Sequence, residues 1–546
     1  MIDFLKKWPI LTIISVVALL LLPFLEVMEV TIMEARNFIT AREMLTDGNW
    51  VLTTMNGEAR YQKPPLPTWL TALSAMLFGI KSTWGLRLPA VLMVMLLGSV
   101  LYTLSRKLTL NKSHSLYTGL IGVTSLYVIL IVFEAPWDIY AHAFMLVGIY
   151  SIVQIFKTTE TAWGYMLLAV LGIGASVLSK GPVSVYALLL PFLISYGIIF
   201  RKSNTTKKWM QFSGILVLGL VLGFSWYLYV RYADPATFKA ITSKETGNWT
   251  SYNVRPFYYY WSFFVQSGVW TVPAFIGLLY PYLKTRVSNL KVYQFTLLWT
   301  LIAVVLLSVI PEKKSRYLMP VLIPLAMNTG FYIEYLIRHF KELKDKRETI
   351  PVYSSFGVVG LVFIAIPIFA VYLLLTEKPI EVPVRTYVFV GLLCAIGVFL
   401  LKKLYQKSIE GVIMLLMIGL ITCVYSLGPL HIKNKEVSKD HFGFDGFFKG
   451  LNIEETIPIY AYKNTSPEMI WARGAKIPIV ENLSELKSDT TFYVIDCQLC
   501  EEVIEEDKDI GNFIYEAPYL IDLNYEGLDH KDRKVGYVYK LIKREQ

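Results

Sequence analysis

Apolar runs long enough to cross a bilayer recur along most of this chain, and no other feature restricts its fold as strongly. A spanning helix needs about 20 mostly apolar residues. Such runs lie at about 9–25, 88–105, 115–133, 137–156, 163–178, 183–200, 210–230, 261–283, 292–310, 317–337, 351–375, 385–401 and 411–430, about thirteen in all. Within hydrocarbon the backbone must satisfy its own hydrogen bonds, so each run is expected to be helical. The composition agrees: of 546 residues 55% are hydrophobic and only 17% charged, where soluble proteins carry about 25% charged residues. A soluble globular protein, a disordered chain, a collagen-like chain and a small disulfide scaffold are excluded. Lys6 and Lys7 precede the first run, but no small-residue cleavage site follows, and Glu26 and Glu29 come next. The run is expected to remain as a span and not to be removed as a signal peptide.

Charge divides the chain in two. The net charge is +10, yet residues 431–546 hold 15 Lys and Arg against 22 Asp and Glu, or −7, which leaves +17 for the rest. The basic residues sit between apolar runs, so a nucleic-acid partner is not expected. They occupy alternate connections: Lys6 and Lys7; Arg106, Lys107 and Lys112; Lys157; Arg201, Lys202, Lys207 and Lys208; Lys284, Arg286 and Lys291; Arg338 to Arg347; Lys402, Lys403 and Lys407. The positive-inside bias makes these connections cytoplasmic. The N-terminus is then inside and, with an odd number of spans, the tail outside.

Two outer connections carry more structure than linkers do. In the first, about 26–87, Glu34–Leu45 and Thr68–Phe78 alternate apolar and polar residues at helical spacing, separated by the stiff Lys63-Pro64-Pro65-Leu66-Pro67. Two helices lying on the outer membrane surface are expected. The second, about 231–260, is dense in aromatics (Trp249, Tyr252, Phe257 to Tyr260), as interfacial segments are. Beyond about 430 the pattern changes. Ile457–Tyr462, Thr491–Ile495 and Gly536–Ile542 read as strands, Ser466–Arg473 and Cys500–Asp507 as short helices. The expected fold is an all-α polytopic membrane domain over 1–430, followed by a small extracytoplasmic α/β domain over 431–546.

Charge in costly places marks candidate chemistry. Asp138 opens an apolar span behind Pro136-Trp137, and His142 lies one turn on, on the same face. An intramembrane carboxylate costs roughly 2.5–3.5 kcal/mol at a helix centre and less near the interface, so Asp138 is either functional or at the waterline. His142 is a metal ligand or a hydrogen-bond partner. Arg60, Lys63, Lys180, Arg255, Lys313, Lys314 and Arg316 lie outside against the charge bias, which suggests a bound anion. At a membrane surface that anion is a lipid phosphate, met by Lys as a point charge and by Arg as a fork. Ordinary headgroup contact is the plainer alternative. Cys497 and Cys500 form a single C-x-x-C, where a structural role outweighs catalysis. Phosphate-loop, dinucleotide, zinc-protease and serine-elbow motifs are missing from the sequence.

Several of these stretches together resemble a known family. They are Met33-Glu34-Ala35-Arg36-Asn37 with Ala41-Arg42-Glu43-Met44-Leu45; Arg60-Tyr61-Gln62-Lys63-Pro64-Pro65-Leu66 and Trp69; Trp84-Gly85-Leu86-Arg87-Leu88-Pro89; then Asp138, Lys180-Gly181-Pro182 and Arg316-Tyr317-Leu318-Met319-Pro320. The pattern resembles the ArnT-like branch of the GT-C glycosyltransferases, the aminoarabinose lipid A transferases, to which the protein O-mannosyltransferases are related. The resemblance covers roughly residues 1–340. It implies an integral membrane transferase in the bacterial inner membrane, which moves a sugar from a polyprenyl-phosphate carrier to a lipid or protein hydroxyl at the outer face, with inversion. It also implies acidic residues at Glu34 and Asp138, and substrate contacts at Tyr61, Gln62, Trp69, His142 and Tyr317. Family members often have Asp-Glu where this chain has Met33-Glu34. Some related transferases have a metal-associated Glu where Gln62 stands, so no cofactor is expected to be required.

Elementary chemistry agrees with that reading. A lipid phosphate leaves readily and needs cations around its developing charge. Lys63 is the first candidate, with Arg60, Lys180, Arg255, Lys313 and Arg316 beside it. The acceptor hydroxyl needs a base, and Asp138 and Glu34 are both candidates. Two other functions stay open: a lipid or sugar transporter or flippase, and a non-catalytic membrane scaffold. Against transport, no internal repeat is visible and the polar residues gather in the outer loops.

Overall fold

The apolar runs become helices in the computed structural model. The structure describes residues 2–544 except 135, 201–205, 378–383, 455–456, 487–490, 498–503, 505–507, 517 and 525–529; side chains at 2–4, 206–207, 248–250, 370, 373–377, 385–386 and 427–442 are likewise not described. The expected helix at Cys500–Asp507, Cys500 itself, Arg201, Lys202 and the Trp249 side chain lie outside the described residues.

Among the described residues nine helices are long and apolar enough to cross a membrane: Thr83–Thr109, Pro136–Lys157, Trp163–Lys180, Lys208–Ala233, Leu290–Val309, Ser315–His339, Lys346–Phe369, Tyr387–Tyr405 and Ile409–Ser426. Lys112–Thr124 and Leu126–Glu134, bent 42° to one another, make a tenth if read as one span. This differs from the expected thirteen at four runs. The run at 115–133 breaks at Ser125, whose ψ of 132° leaves the helix. The hydroxyls of Thr124 and Ser125 also turn back to the carbonyls four residues earlier, a contact that bends helices. The runs at 9–25 and 183–200 give shorter helices, Pro9–Phe24 and Val185–Ile199, the second only after the Gly181-Pro182 break. The run at 261–283 is no continuous helix. Gly268 takes a φ of 66° inside a 3-10 stretch, Phe263–Trp270, and two short helices follow, Thr271–Gly277 and Tyr280–Leu283. A side chain at Gly268 would also meet Leu126 Cβ at 2.8 Å.

Contacts divide the chain into two units: Met1–Leu25, Tyr61–Pro67 and Arg87–Leu427 form one, and Glu26–Arg60, Thr68–Leu86 and Gly428–Gln546 the other. The sequence places a single cut near 430, with 26–87 as an outer-face connection of the membrane domain. In the structure most of that first connection clusters with the tail.

In the membrane unit the helices Pro136–Lys157 and Trp163–Lys180 approach most closely at two glycines. A Cβ on Gly172 would lie 2.8 Å from the Gly148 nitrogen and 2.9 Å from the Phe144 carbonyl oxygen, both backbone atoms. Small residues of this kind let helix backbones meet inside a membrane. Only the short stretch 158–162 joins the two helices, so they run antiparallel, and the start of the first lies beside the end of the second.

The second unit is built on a mixed sheet. Its strands order as Ile479–Val480, Ile459–Tyr462, Thr491–Cys497, Val535–Lys543 and Phe513–Tyr515, with Tyr519–Asp522 sharing the outer edge of Val535–Lys543. The first three are parallel and the rest antiparallel, with Val494 opposite Tyr539. The three strands read from the sequence are present, as is the helix Pro467–Arg473. Ser466 caps that helix at the Met469 nitrogen, and Gly474 ends it at a φ of 74°.

The two helices of the first connection are also present, at Ile32–Thr46 and Leu66–Phe78. Asn37 ties them together, donating to Thr71 and accepting from Thr68 at 3.0 and 2.7 Å. Ile39 packs into the apolar core of the sheet with Phe447, Ile459, Met469 and Ile495. Between the helices, Thr54–Met55 and Glu58–Ala59 form a hairpin on Asn56-Gly57, both at positive φ, the pair that a tight two-residue turn requires. Glu43 accepts from the Thr54 hydroxyl and the Asn56 and Gly57 amides at 2.6, 2.6 and 3.2 Å. The Asn56 side chain in turn exchanges two hydrogen bonds with the Ile477 backbone.

The glycine contact yields a direct test. Gly172→Leu drives a side chain into backbone that cannot rotate away, and should cost more than the about 1–3 kcal/mol of ordinary overpacking. Gly164→Ala, on the same helix with open space around it, should leave the melting temperature in detergent unchanged. Equal melting temperatures for Gly172→Leu and wild type would show that the helices do not meet there.

Candidate functional site

Asp138 sits in the first turn of Pro136–Lys157, and Lys180 is the last residue of Trp163–Lys180. Each charge suits its own helix, because carboxylates are favoured at helix N-termini and cations at C-termini. The antiparallel pairing brings them into contact, and Lys180 Nζ donates to Asp138 Oδ1. Asp138 is 2% exposed. His142 Nε2 lies 4.0 Å from the same oxygen, on the same helix face. The other oxygen, Oδ2, is buried and has no hydrogen-bond partner among the described residues. A buried carboxylate oxygen left open in this way is an acceptor awaiting a donor.

A cationic loop closes on the same place. Glu312 pairs with Lys314 at 2.8 Å and accepts from the Tyr317 hydroxyl at 3.0 Å. The Tyr317 ring lies under three cations: Lys180 Nζ at 5.2 Å, Lys314 Nζ at 5.7 Å and Arg316 Cζ at 5.9 Å. Lys314 and Arg316 are within electrostatic range of the Lys180 ammonium, and Arg316 Nε is buried with no hydrogen-bond partner among the described residues. Two carboxylates and three cations thus share one end of the bundle, and the surplus is positive. The loop 311–318 is fixed by its neighbour: Tyr260 accepts from the Lys314 nitrogen and donates to its carbonyl, and Gln266 donates to the Ser315 carbonyl.

The remaining expected residues are placed as follows. Lys313 does not face an anion. It is 3% exposed, and its ammonium donates to the carbonyls of Ile310 at 2.6 Å, Arg255 at 3.0 Å and Pro311 at 3.5 Å. Its three protons are used to hold the loop, so it leaves the phosphate set; burial also holds its ammonium below the ordinary lysine value. Arg255 is exposed beside it, its backbone amide bonded to the Pro311 carbonyl. Tyr61, Gln62 and Lys63 belong to the short stretch of the first connection that clusters with the membrane unit. Tyr61 is buried, lies edge-on to Trp226, and donates to Asp234 at 3.1 Å. Burial first, and then the Asp234 carboxylate, push its hydroxyl up to about 12, so it stays a donor at any physiological pH. Gln62 and Lys63 are half-buried, and Gln62 Oε1 has no hydrogen-bond partner among the described residues.

Glu34, Arg60 and Trp69 belong to the second unit. Glu34 is fully buried at the third position of Ile32–Thr46, in a reciprocal cap with Thr31. Its carboxylate accepts from the Thr31 nitrogen at 3.0 Å, while its own amide donates to the Thr31 hydroxyl at 3.3 Å. Thr31-x-x-Glu34 is the sequence signature of such a cap. Arg60 donates to the Arg36 carbonyl and the Thr40 hydroxyl at 2.9 and 3.0 Å. The Trp69 indole donates to the Trp50 carbonyl at 2.7 Å. The sequence singled out neither Tyr127, which interacts with Glu134, Ser315 and Arg316, nor Asp234. Nothing in their local pattern marks them. Glu312 was within reach, lying amid the cations of a short polar break between apolar runs.

Comparison with known proteins now has a structure to refer to. Residues 62–227 match the family model described as dolichyl-phosphate-mannose-protein mannosyltransferase. A protein of Proteus mirabilis named undecaprenyl phosphate-alpha-4-amino-4-deoxy-L-arabinose arabinosyl transferase 2 is 24% identical over 362 residues, 64% of this chain and 62% of that protein. An uncharacterized protein of Aquifex aeolicus is 26% identical over 305 residues, 54% of this chain and 57% of that one. The match thus spans less than two thirds of the length of these two relatives. The crystal structure of ArnT from Cupriavidus metallidurans bound to undecaprenyl phosphate superposes with a TM-score of 0.68 over 98% of both chains, at 15% identity. The fold is that of the Cupriavidus ArnT structure, a polytopic membrane domain with a small α/β tail.

The buried pair has a measurable consequence. Lys180→Met should destabilise the protein by about 3–5 kcal/mol, because it strands the Asp138 carboxylate in a dry site. Adding Asp138→Asn should restore most of that loss. Melting temperatures of the two single variants and the double variant decide this; simple additivity would show that the two side chains do not interact.

Proposed function

We propose that this protein transfers a sugar from a polyprenyl-phosphate carrier to an acceptor hydroxyl, a hydroxyl of a membrane lipid in the first instance, at the outer face of a bacterial inner membrane. The observation that carries the reading is the open Oδ2 of Asp138, held beside a surplus of cations. The fold supports it, as does the name of the Proteus relative and the undecaprenyl phosphate bound to the Cupriavidus protein. The transporter and scaffold readings have no observation of comparable weight in their favour.

In this reading Asp138 accepts the proton of the acceptor hydroxyl at Oδ2, while Lys180 holds Oδ1. The hydroxyl oxygen forms the new bond to the anomeric carbon. The bond from that carbon to the phosphate oxygen breaks, its electron pair stays with the lipid phosphate, and the anomeric centre inverts. Lys180, Lys314 and Arg316 stabilise the phosphate charge as it develops, in a site with little water to screen it. Lys63 and Arg255 are the further cations of the same unit proposed for the carrier. Tyr317 stacks under the cations and, with Tyr61, Gln62 and His142, lines the sugar. Of the two carboxylates expected as base, Glu34 is occupied in capping its helix, so the role falls to Asp138. A neutral Gln62 stands where some relatives have a metal-associated Glu, and among the described residues no three His, Cys, Asp or Glu side chains gather as ligands. No step is routed through a metal. The topology proposed with this function places the N-terminus in the cytoplasm and the tail outside.

Turnover is the test. The purified protein is reconstituted with a lipid extract containing polyprenyl-phosphate sugars, and release of free lipid phosphate is followed by mass spectrometry. Wild type should release it. Asp138→Asn should lower the rate by at least the roughly 10²–10⁴-fold that a general base supplies, and Lys63→Ala should also fall steeply. Arg338→Ala, on the helix end where Arg338 pairs with Glu334 at 2.6 Å, should change little. Full activity in Asp138→Asn would remove the assignment.

A further inference from the structure

The second unit encloses a cavity of about 280 Å³ that plays no part in the reaction above. Its walls come from the helices Ile32–Thr46, Phe444–Gly450 and Pro467–Arg473, the turn at 80–83, and the strand ends near Asp522 and Lys534. The volume is close to the roughly 300 Å³ lower bound of small-molecule sites, which suits one pyranose ring and not a chain of them.

Two buried charged side chains in this wall are incompletely paired. Arg42 is 5% exposed; its Nη1 reaches the Ile470 carbonyl at a long 3.5 Å, and its Nη2 has no hydrogen-bond partner among the described residues. Glu468 is 4% exposed; Oε1 accepts from Arg533 at 2.9 Å, and Oε2 has no hydrogen-bond partner among the described residues. A wall serving only to pack would not keep both, since each unsatisfied buried polar atom costs about 1–3 kcal/mol. Burial accordingly pulls the Arg42 guanidinium below its ordinary value.

The lining also shows which ligand fits. Four cations and four carboxylates line the cavity, and Lys534 is already paired with Glu29. With no net charge, the site has no preference for a phosphate. One donor and one acceptor in the wall lack a hydrogen-bond partner among the described residues, and hydroxyl groups answer both needs, since a hydroxyl can accept from a guanidinium or donate to a carboxylate. Trp471 and Phe448 supply apolar wall, as the C–H face of a sugar ring requires.

We propose that this cavity binds one neutral, hydroxyl-rich sugar unit, held by Arg42 and Glu468 against Trp471. The site lies wholly within the second unit and does not depend on the transfer reaction.

The full chain is placed in lipid nanodiscs free of sugar detergents and titrated with the methyl α-glycosides of glucose, galactose and mannose. Saturation-transfer NMR follows binding, with inorganic phosphate as the charged probe. At least one glycoside should bind saturably, with a dissociation constant on the order of 1 mM, and phosphate should not displace it. Glu468→Gln should weaken binding at least tenfold. If that variant also lowers the melting temperature, Trp471→Leu, on a half-buried wall, gives a second reading of the same loss. The wild-type titration decides even without variants: no saturable signal from all three glycosides overturns the proposal, as does displacement by phosphate. Binding that survives both substitutions overturns it too, because the sugar would then sit elsewhere.

Discussion

The close contact of Pro136–Lys157 with Trp163–Lys180 is the constraint on which the rest of the membrane unit depends. Gly148 and Gly172 let the two backbones touch, and the short connection sets them antiparallel. Under those two conditions the first turn of one helix must lie beside the last turn of the other. Asp138 and Lys180 occupy those turns, so they meet as a buried pair. Neither charge would be tolerable there alone, because desolvating a single ion in such a site costs several kcal/mol. The pair is therefore a condition of the packing.

The arrangement is incomplete among the described residues. Lys180 satisfies one oxygen of Asp138 and leaves the other open. The loop carrying Lys314, Arg316 and Tyr317 adds positive charge, and that loop is held by Tyr260, Gln266 and the buried ammonium of Lys313. Lys313 and Arg316 are three residues apart in one basic cluster, yet one holds carbonyls while the other keeps an unpaired nitrogen. Charge alone did not distinguish them; the direction of the chain did. A similar division runs through the first connection, where Glu34 closes a helix cap and Glu43 anchors a hairpin.

The second unit shows how distant segments complete one core. Ile39 from the first connection packs among strand residues more than 400 positions later, and Asn56 pairs with the Ile477 backbone across a similar separation. One face of the six-stranded sheet is covered by the helices Phe444–Gly450 and Pro467–Arg473, with Ile39 of Ile32–Thr46 joining the same core. Most residues of Ile32–Thr46 are buried, so the helix has only a weak division into apolar and polar sides. Its apolar residues are visible in the sequence, but the protein core that Ile39 joins is not.

The sequence by itself determined that this is a polytopic membrane protein with an α/β tail, because about 20 apolar residues in succession have no other stable use. It also marked Asp138, Lys180 and Arg316, because charge beside hydrocarbon is too costly to be incidental. Only the tertiary structure decided which runs form one continuous helix, since Ser125 and Gly268 break helices that composition alone would continue. Only the structure separated Glu34 from Asp138 and Lys313 from Arg316. The physical reason is the same in each case: residue type fixes what a side chain can donate or accept, but its partners are fixed by backbone direction and long-range packing, which no local pattern carries.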